Sequence, residues 1–372
     1  MRVLVWQWGR RGAGPLVAAA TARALGAVAG VEAVVSLSTG AELLGLPGAP
    51  GNDIPIQTYS DRLGFLLRLL GTPWTVPLLA RAIRAAGVDV ALCAMPAPLD
   101  FAMAAALRRV GVPYAVVVHD AQLHPGDSYP MQIALQRQLI GGAAMLFALS
   151  THVAGQLRAR GLRAGQPLLQ TTLPPFVFGA LPAPAGAHGG RLRLLSFGRL
   201  LPYKGLDLLA DAMALLGARG DIELRVVGSG PDSAELARLR SLPGVTVENR
   251  WVPEAELPSL LGWADALVLT HREASQSGVA AAAIAARRWV VSTEVGGLAE
   301  QLRDQAMAVL CAPEAGSVAA AIGSLPGRVA PLAAGAPVWD GGAVMAEGLR
   351  RLVPAAVVPA AATVGEVRSA PV

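Results

Sequence analysis

The sequence predicts an α/β protein made of two doubly wound parallel-sheet halves. Three observations carry this. Short apolar runs alternate with helical patterns, the arrangement of a parallel sheet covered on both faces. The alternation breaks over 180–190 (ALPAPAGAHGG), a Pro-, Gly- and Ala-rich stretch without charge that reads as a linker. The length of 372 residues, at roughly 150 per domain, allows about 2.5 domains.

In the first half, residues 2–8 form an apolar run bounded by Gly9 and read as a buried strand. A glycine turn follows (Gly9-Arg10-Arg11-Gly12-Ala13-Gly14), then a helical stretch over 15–25 with proline early, where it is tolerated. Further strands are expected over 32–36, 89–94, 114–118 and 145–149, with helices over 78–86, 101–109 and 151–160. In the second half, strands over 192–196, 222–227, 245–248, 266–269 and 289–292 alternate with helices over 205–216, 233–239, 254–261 and 278–286. The expected division is a first domain over 1–180, a linker over 181–190 and a second domain over 191–330. A helix over 338–353 and a disordered tail over 354–372 complete it. Ligands of such sheets bind outside the carboxyl ends of the strands, so the cleft between the halves is the expected site.

The composition is 53% hydrophobic and 15% charged, against a usual charged share of about 25%, which excludes intrinsic disorder. Mean hydropathy is +0.47, yet no clean run of about 20 apolar residues occurs. Arg23 interrupts 14–31, and Pro354 and Pro359 interrupt 352–364. The charge of +5 is a mild excess of scattered arginines, with Lys204 standing out as a lysine. It does not form the clustered face of a nucleic-acid binder. Cys93 and Cys311 are too few and too isolated for a disulfide scaffold or a zinc site. At the N-terminus the apolar run precedes the arginines, the reverse of a signal peptide, so a cytoplasmic location is expected.

Three clusters are placed for chemistry. The glycine turn joins a strand to a helix and is suited to a phosphate, although it lacks the full G-x-G-x-x-G pattern. A tight turn without a ligand explains it equally well. Glu32 opens its strand instead of closing it, which argues against NAD. The second cluster, FGRLLPYKG over 197–205, brings Arg199 and Lys204 to a loop before a helix, a setting for a diphosphate. Its alternative is a solvated loop with two surface charges. The third, HREASQSGV over 271–279, offers donors at a helix start and Glu273 near a strand end. There Ser277 serves equally as a simple helix cap. His119 ends a buried strand, either as a site residue or as a structural histidine. His124 and Asp127 lie in the same loop, which reads as an acceptor loop more readily than as a metal site. No nucleophile elbow supports a hydrolase.

These features, in this order, resemble the retaining glycosyltransferases of the GT-B fold, family 4. The resemblance is most specific over 197–302: FGRLLPYKGLDLL, RVVGSGP, NRWVPEAELPSLLGWADALVLTHREASQSGV and VVSTEVGGLAEQL. In the first half VVHDAQLHPGD is similar to a family segment whose histidine faces the acceptor, and Trp339 with the helix after it resembles a segment that crosses back to the first domain. The resemblance implies two Rossmann-like domains facing a cleft and a nucleotide-sugar donor, with no cofactor and no metal. No DxD motif occurs. Arg199 and Lys204 would stabilise the departing nucleotide, since two cations suffice where charge develops on a leaving group. Glu273 would be the first glutamate of an E-x7-E motif near the sugar. Ser275, Ser277, Gly278, Gly198 and Gly230 would line the donor site. Gly12 and Gly14 would admit the diphosphate to the first-domain loop. His119, Asp120 and His124 would lie on the acceptor side.

One departure stands out. Ala281, Ala282 and Ala283 occupy every register in which the second glutamate of E-x7-E would fall. In the family that carboxylate holds the ribose hydroxyls, and losing such a hydrogen bond costs about 1.5–3 kcal/mol. A catalytically silent GT-B protein that binds a nucleotide sugar or glycan is therefore an alternative, and a nucleotide-sugar epimerase a weaker one. The acceptor would be a glycan, a lipid-linked sugar or a small molecule. The stretch 62–74 (RLGFLLRLLGTPW) is basic and amphipathic. It suits a core-facing helix more often than contact with an anionic membrane.

Overall fold

The computed structural model describes residues 1–122, 132–180, 182–186, 188, 190–217, 220–325 and 339–353. The apolar runs of the first half become β1 (Arg2–Gln7), β2 (Glu32–Leu37), β3 (Val90–Cys93), β4 (Tyr114–Val118) and β5 (Met145–Ala148), and a sixth, unexpected strand joins them at the edge, β6 (Leu168–Gln170). Between them lie α1 (Ala13–Gly26), α2 (Arg62–Leu70), α3 (Thr72–Ala85), α4 (Asp100–Val110), α5 (Gln132–Gly142) and α6 (Thr151–Arg160). All the pairings are parallel, in the order β2-β1-β3-β4-β5-β6. Val3, Leu4, Val5 and Trp6 are wholly buried because helices cover both faces of this sheet.

The second half repeats the plan. Its strands are β7 (Leu192–Arg199), β8 (Ile222–Ser229), β9 (Val245–Asn249), β10 (Ala266–Leu269), β11 (Trp289–Thr293) and β12 (Ala308–Cys311). Its helices are α7 (Leu206–Leu216), α8 (Ala234–Ser241), α9 (Leu257–Trp263), α10 (Gly278–Ala285), α11 (Gly296–Leu302) and α12 (Ala315–Gly323). The parallel order is β12-β11-β10-β7-β8-β9. The expected fold class, two Rossmann-like domains facing a cleft, is the one observed. β7 runs three residues beyond the expected 192–196, so Gly198 and Arg199 end a strand and are not loop residues. Its pairing with β8 continues to Arg199↔Ser229 because Gly228 lies directly opposite Gly198: a Cβ on Gly228 would sit 1.7 Å from the Gly198 carbonyl oxygen.

One apolar cluster runs from α1 and the first sheet through Leu173 and Phe176 to α10 and α11, so the halves share a core. Polar contacts reinforce it. The carboxylate of Glu300 on α11 accepts from the Thr151 and His152 amides at the start of α6, at 2.6 and 2.8 Å. An acid at a helix N-terminus is favourable for charge as well as for hydrogen bonding. The connection between the halves is also held. Buried Asp265 accepts from Gly186 N and Arg193 N, and buried Arg288 donates to the Ala183 carbonyl.

After the second half the chain returns to the first as α13 (Gly341–Arg350). It packs on α1, where a Cβ on Gly342 would lie 2.8 Å from the Cβ of Ala24. Trp339 Nε1 donates to Thr172 Oγ1 at 3.1 Å, and Arg350 donates to the Ala29 carbonyl. The tail expected over 354–372 lies outside the described residues.

α2 departs from the core-facing expectation. It contains no buried residue, and Leu63, Leu67 and Leu70 are each at least 60% exposed. Its apolar face is real, but among the described residues no element covers it.

Candidate active site

A cavity of about 550 Å³ lies between the carboxyl ends of the two sheets. β1 lies between β2 and β3, and β7 between β10 and β8, so the chain leaves both strands at a reversal of strand order, where doubly wound sheets form their crevices.

On the first-domain wall the glycine turn opens α1. Gly12 holds φ +77° at the helix start, which favours glycine, and no side chain caps that helix. Gly14 gives room to a neighbour: a Cβ there would lie 2.4 Å from the Gln7 amide nitrogen, so the Gln7 side chain would have to shift. Both glycines line the cavity.

On the opposite wall Tyr203 organises two cations. The Arg199 guanidinium lies 6.0 Å and the Lys204 ammonium 5.2 Å from its ring centre. Lys204 also stands 2.8 Å from Nε2 of His271, at the end of β10. The loop is stitched in place: Thr270 Oγ1 donates to the Lys204 carbonyl, and the Arg272 amide to the Tyr203 carbonyl. Gly205 turns the chain into α7 at φ +64°, and a Cβ there would come within 1.9 Å of the Thr270 carbonyl oxygen. Arg272 is committed to Asp207, whose carboxyl it holds below its ordinary range.

The third cluster is divided. Ser277 and Gly278 line the cavity. The Ser277 hydroxyl caps α10 by accepting from Ala280 N, and its amide donates to Gln301 Oε1 at 2.9 Å. Ser277 thus shapes the wall while its amide is engaged elsewhere. Ser275 is buried behind it, its carbonyl accepting from Ser150 of the first domain. Glu273 is exposed and, like Gly230 and Ser275, is not among the cavity-lining residues. Ala282 does line the cavity, so a methyl group stands at one of the positions where the second glutamate would fall.

On the acceptor side His119 is buried, with Nε2 2.9 Å from the Ala94 carbonyl. A carbonyl only accepts, so Nε2 carries the proton and Nδ1 is the acceptor of a neutral ring. Burial lowers the histidine pKa, in keeping with that neutral form. Asp120 lines the cavity beside it. His124 and Asp127 lie outside the described residues. Among the described residues no three His, Cys, Asp or Glu side chains are grouped to hold a metal.

Sequence reasoning missed several lining residues. Asp100 is buried at the start of α4, accepting from Ala97 N at 2.6 Å and Trp6 Nε1 at 3.1 Å, and burial pushes its carboxyl up to about 7. Glu254 is 3% exposed, and burial followed by the charge of Glu42 pushes it up to about 7. Arg11 pairs with Glu42 at 2.7 Å and lies 5.5 Å from the ring centre of Trp251, linking the two domains at this end of the cavity. Each of these acids stands at a helix start in sequence, a place that ordinarily reads as solvent.

The model described as "Glycosyl transferases group 1" matches residues 191–326, and the "Glycosyl transferase 4-like domain" model matches 16–169. The 2-deoxystreptamine glucosyltransferase of Streptomyces kanamyceticus is 28% identical over 232 residues, covering 56% of this chain and 59% of that protein. A D-inositol 3-phosphate glycosyltransferase of Jonesia denitrificans is 30% identical over 207 residues, covering 49% and 48%. The chain thus spans about half the length of the curated relatives it matches. HepE of Anabaena, solved with UDP-glucose, shares the fold at a TM-score of 0.65 with 17% identity, over 94% of this chain and 95% of that one. The two models fall on the two Rossmann-like halves in turn and together take in most of the sequence: the chain belongs to the GT-B glycosyltransferases of family 4, the glycosyl transferases group 1.

Proposed function

We propose that the protein transfers a sugar from a nucleotide-sugar donor to an acceptor hydroxyl, with retention of configuration and without a metal. The observation that carries this is the pair Arg199 and Lys204, set on Tyr203 at the cavity wall opposite the glycine turn. As the glycosidic bond to the diphosphate breaks, negative charge grows on the leaving oxygen. Two fixed cations in a partly enclosed cavity stabilise it more in the transition state than in the ground state. That is the work a metal performs in other enzymes of this chemistry, and metal independence rests on it. Retention rests on the family resemblance. Nδ1 of neutral His119 is suited to accept from a hydroxyl of the sugar or the acceptor. HepE, with UDP-glucose bound, supports UDP-glucose as the first donor to try.

The acceptor is a glycan, a lipid-linked sugar or a small molecule. Contact with an anionic membrane belongs to the same reading, together with a cytoplasmic location. Among the described residues no single helix is long and apolar enough to cross a membrane. α2 and α3 instead present Leu63, Leu66, Leu67, Leu70, Trp74 and Leu78 to solvent. Residues 62–88 carry four arginines and no acid, which complements an anionic lipid surface.

One observation favours a second reading, a silent protein that binds the donor without turning it over. Ala282 lines the cavity, and Glu273 stands outside it. Incubation with UDP-, GDP- and ADP-sugars and an acceptor panel separates the two: nucleotide release supports transfer, and binding without release supports the silent reading. Isomerised sugar without any acceptor would instead indicate epimerisation.

A further inference from the structure

Glu254 opens a short 3-10 turn (Glu254–Glu256) ahead of α9 and lines the cavity from the second domain. It is 3% exposed, and neither carboxylate oxygen closes a hydrogen bond. Among the described residues it is the only carboxylate with both oxygens buried and unmet. The other buried acids are well supplied: Asp100 accepts from Trp6 and Ala97, and Asp265 from Gly186 and Arg193. Buried polar groups are nearly always satisfied, and an unsatisfied one at a cavity wall calls for a ligand that brings donors. The groups nearby do not meet that need: the Gly12 amide at the start of α1 faces Glu254 and pulls its pKa down, but closes no hydrogen bond with it. Arg11 is paired with Glu42, and the charge of Glu42 works against ionisation of Glu254.

We propose that Glu254 is a donor-binding residue whose two oxygens accept hydrogen bonds from neighbouring hydroxyl groups of the nucleotide sugar. The inference rests on the donor reading above. It also gives the cavity an acceptor where the wall at Ala282 offers none. A vicinal diol supplies two O–H donors at a spacing that suits one carboxylate, and both the ribose and the transferred sugar carry such diols. A carboxyl that is partly protonated near neutral pH also adds less repulsion beside a diphosphate than a fully ionised one.

Titration calorimetry on the full chain tests it, using UDP, GDP and ADP, their glucose conjugates and the 2′,3′-dideoxy nucleoside diphosphates. E254A is expected to weaken donor binding roughly tenfold, the scale of a lost charged hydrogen bond. E254Q, which keeps shape and one accepting oxygen, should lie between it and wild type. Loss already seen with the plain diphosphate, but absent with its dideoxy form, assigns the diol to the ribose. Loss confined to the glucose conjugate assigns it to the sugar. Equal binding by wild type, E254A and E254Q to every ligand overturns the inference. Absence of binding by wild type to the whole panel overturns the donor reading and this inference with it. Weakened binding by the variants of a protein that never turns over supports the inference and sinks the transferase reading alone. Thermal melts identify a variant that has lost its fold. None is expected to, since both substitutions remove a buried, unmet carboxylate.

Discussion

The ammonium of Lys204 lies 2.8 Å from Nε2 of His271, across the neighbouring strands β7 and β10. A lysine ammonium only donates, so Nε2 accepts, and the imidazole aims the single lysine of the chain at the cavity. Lys204→Ala should lower kcat/KM by roughly 10²–10³ with little change in the melt, the scale of one lost charge-stabilising group. His271→Ala, which removes the imidazole beside Lys204 and Tyr203, should weaken UDP binding by about 3–10-fold. Unchanged turnover in K204A would refute the diphosphate assignment.

Gly205 tests whether the loop is built around its glycine. Alanine there would need φ +64° and would press its Cβ to within 1.9 Å of the Thr270 carbonyl oxygen. A loss of roughly 2–4 kcal/mol is expected in urea unfolding. A variant as stable as wild type would show that the β10 end yields without cost.

The buried acids give stability a pH slope of defined sign. Glu254 is raised from 4.5 to about 7 and Asp100 from 3.8 to about 7, so between those limits the folded state holds protons that the unfolded state has released. Their contribution is fully present below pH 4 and is lost as pH rises through 7. E254Q should remove its part of that fall, roughly 1–3 kcal/mol, and leave the Asp100 part. Parallel stability curves for E254Q and wild type from pH 4.5 to 8 would contradict the assignment.

The uncovered face of α2 and α3 predicts flotation with anionic vesicles and not with neutral ones. Replacing Leu66, Leu70 and Trp74 together by serine should reduce the bound fraction at least tenfold, since each large apolar side chain transferred from water contributes about 1.5–3 kcal/mol. If wild type stays unbound, or dimerises through this face, the membrane reading fails.

These predictions also mark where sequence is transparent. The alternation of apolar runs and helices was enough for five strands of each sheet, because a strand buried on two faces leaves a continuous apolar signature; the short edge strands β6 and β12, only half-buried, left none. The end of β7 was not legible: Gly198 reads as a turn until its partner is known to be Gly228, where two bare backbones meet. Arg199 and Lys204 were prominent by composition and position, and both line the cavity. Glu254 carried no signal, because a carboxylate at a helix start looks the same whether solvent or the first domain lies in front of it. The apolar stripe of α2 declared a face without declaring what, if anything, covers it.

α13 has a mechanical consequence. The polypeptide passes between the halves twice, once through 182–190 and once on its way back to α1. A second tether between two bodies restricts their relative movement more than one alone, as a second hinge steadies a door. The shared core and Glu300 then act as the latch. Chains ending before Trp339 should keep both sheets but sample a broader spread of distances between labels placed on α4 and α8. An unchanged spread would show that a single hinge already sets the swing.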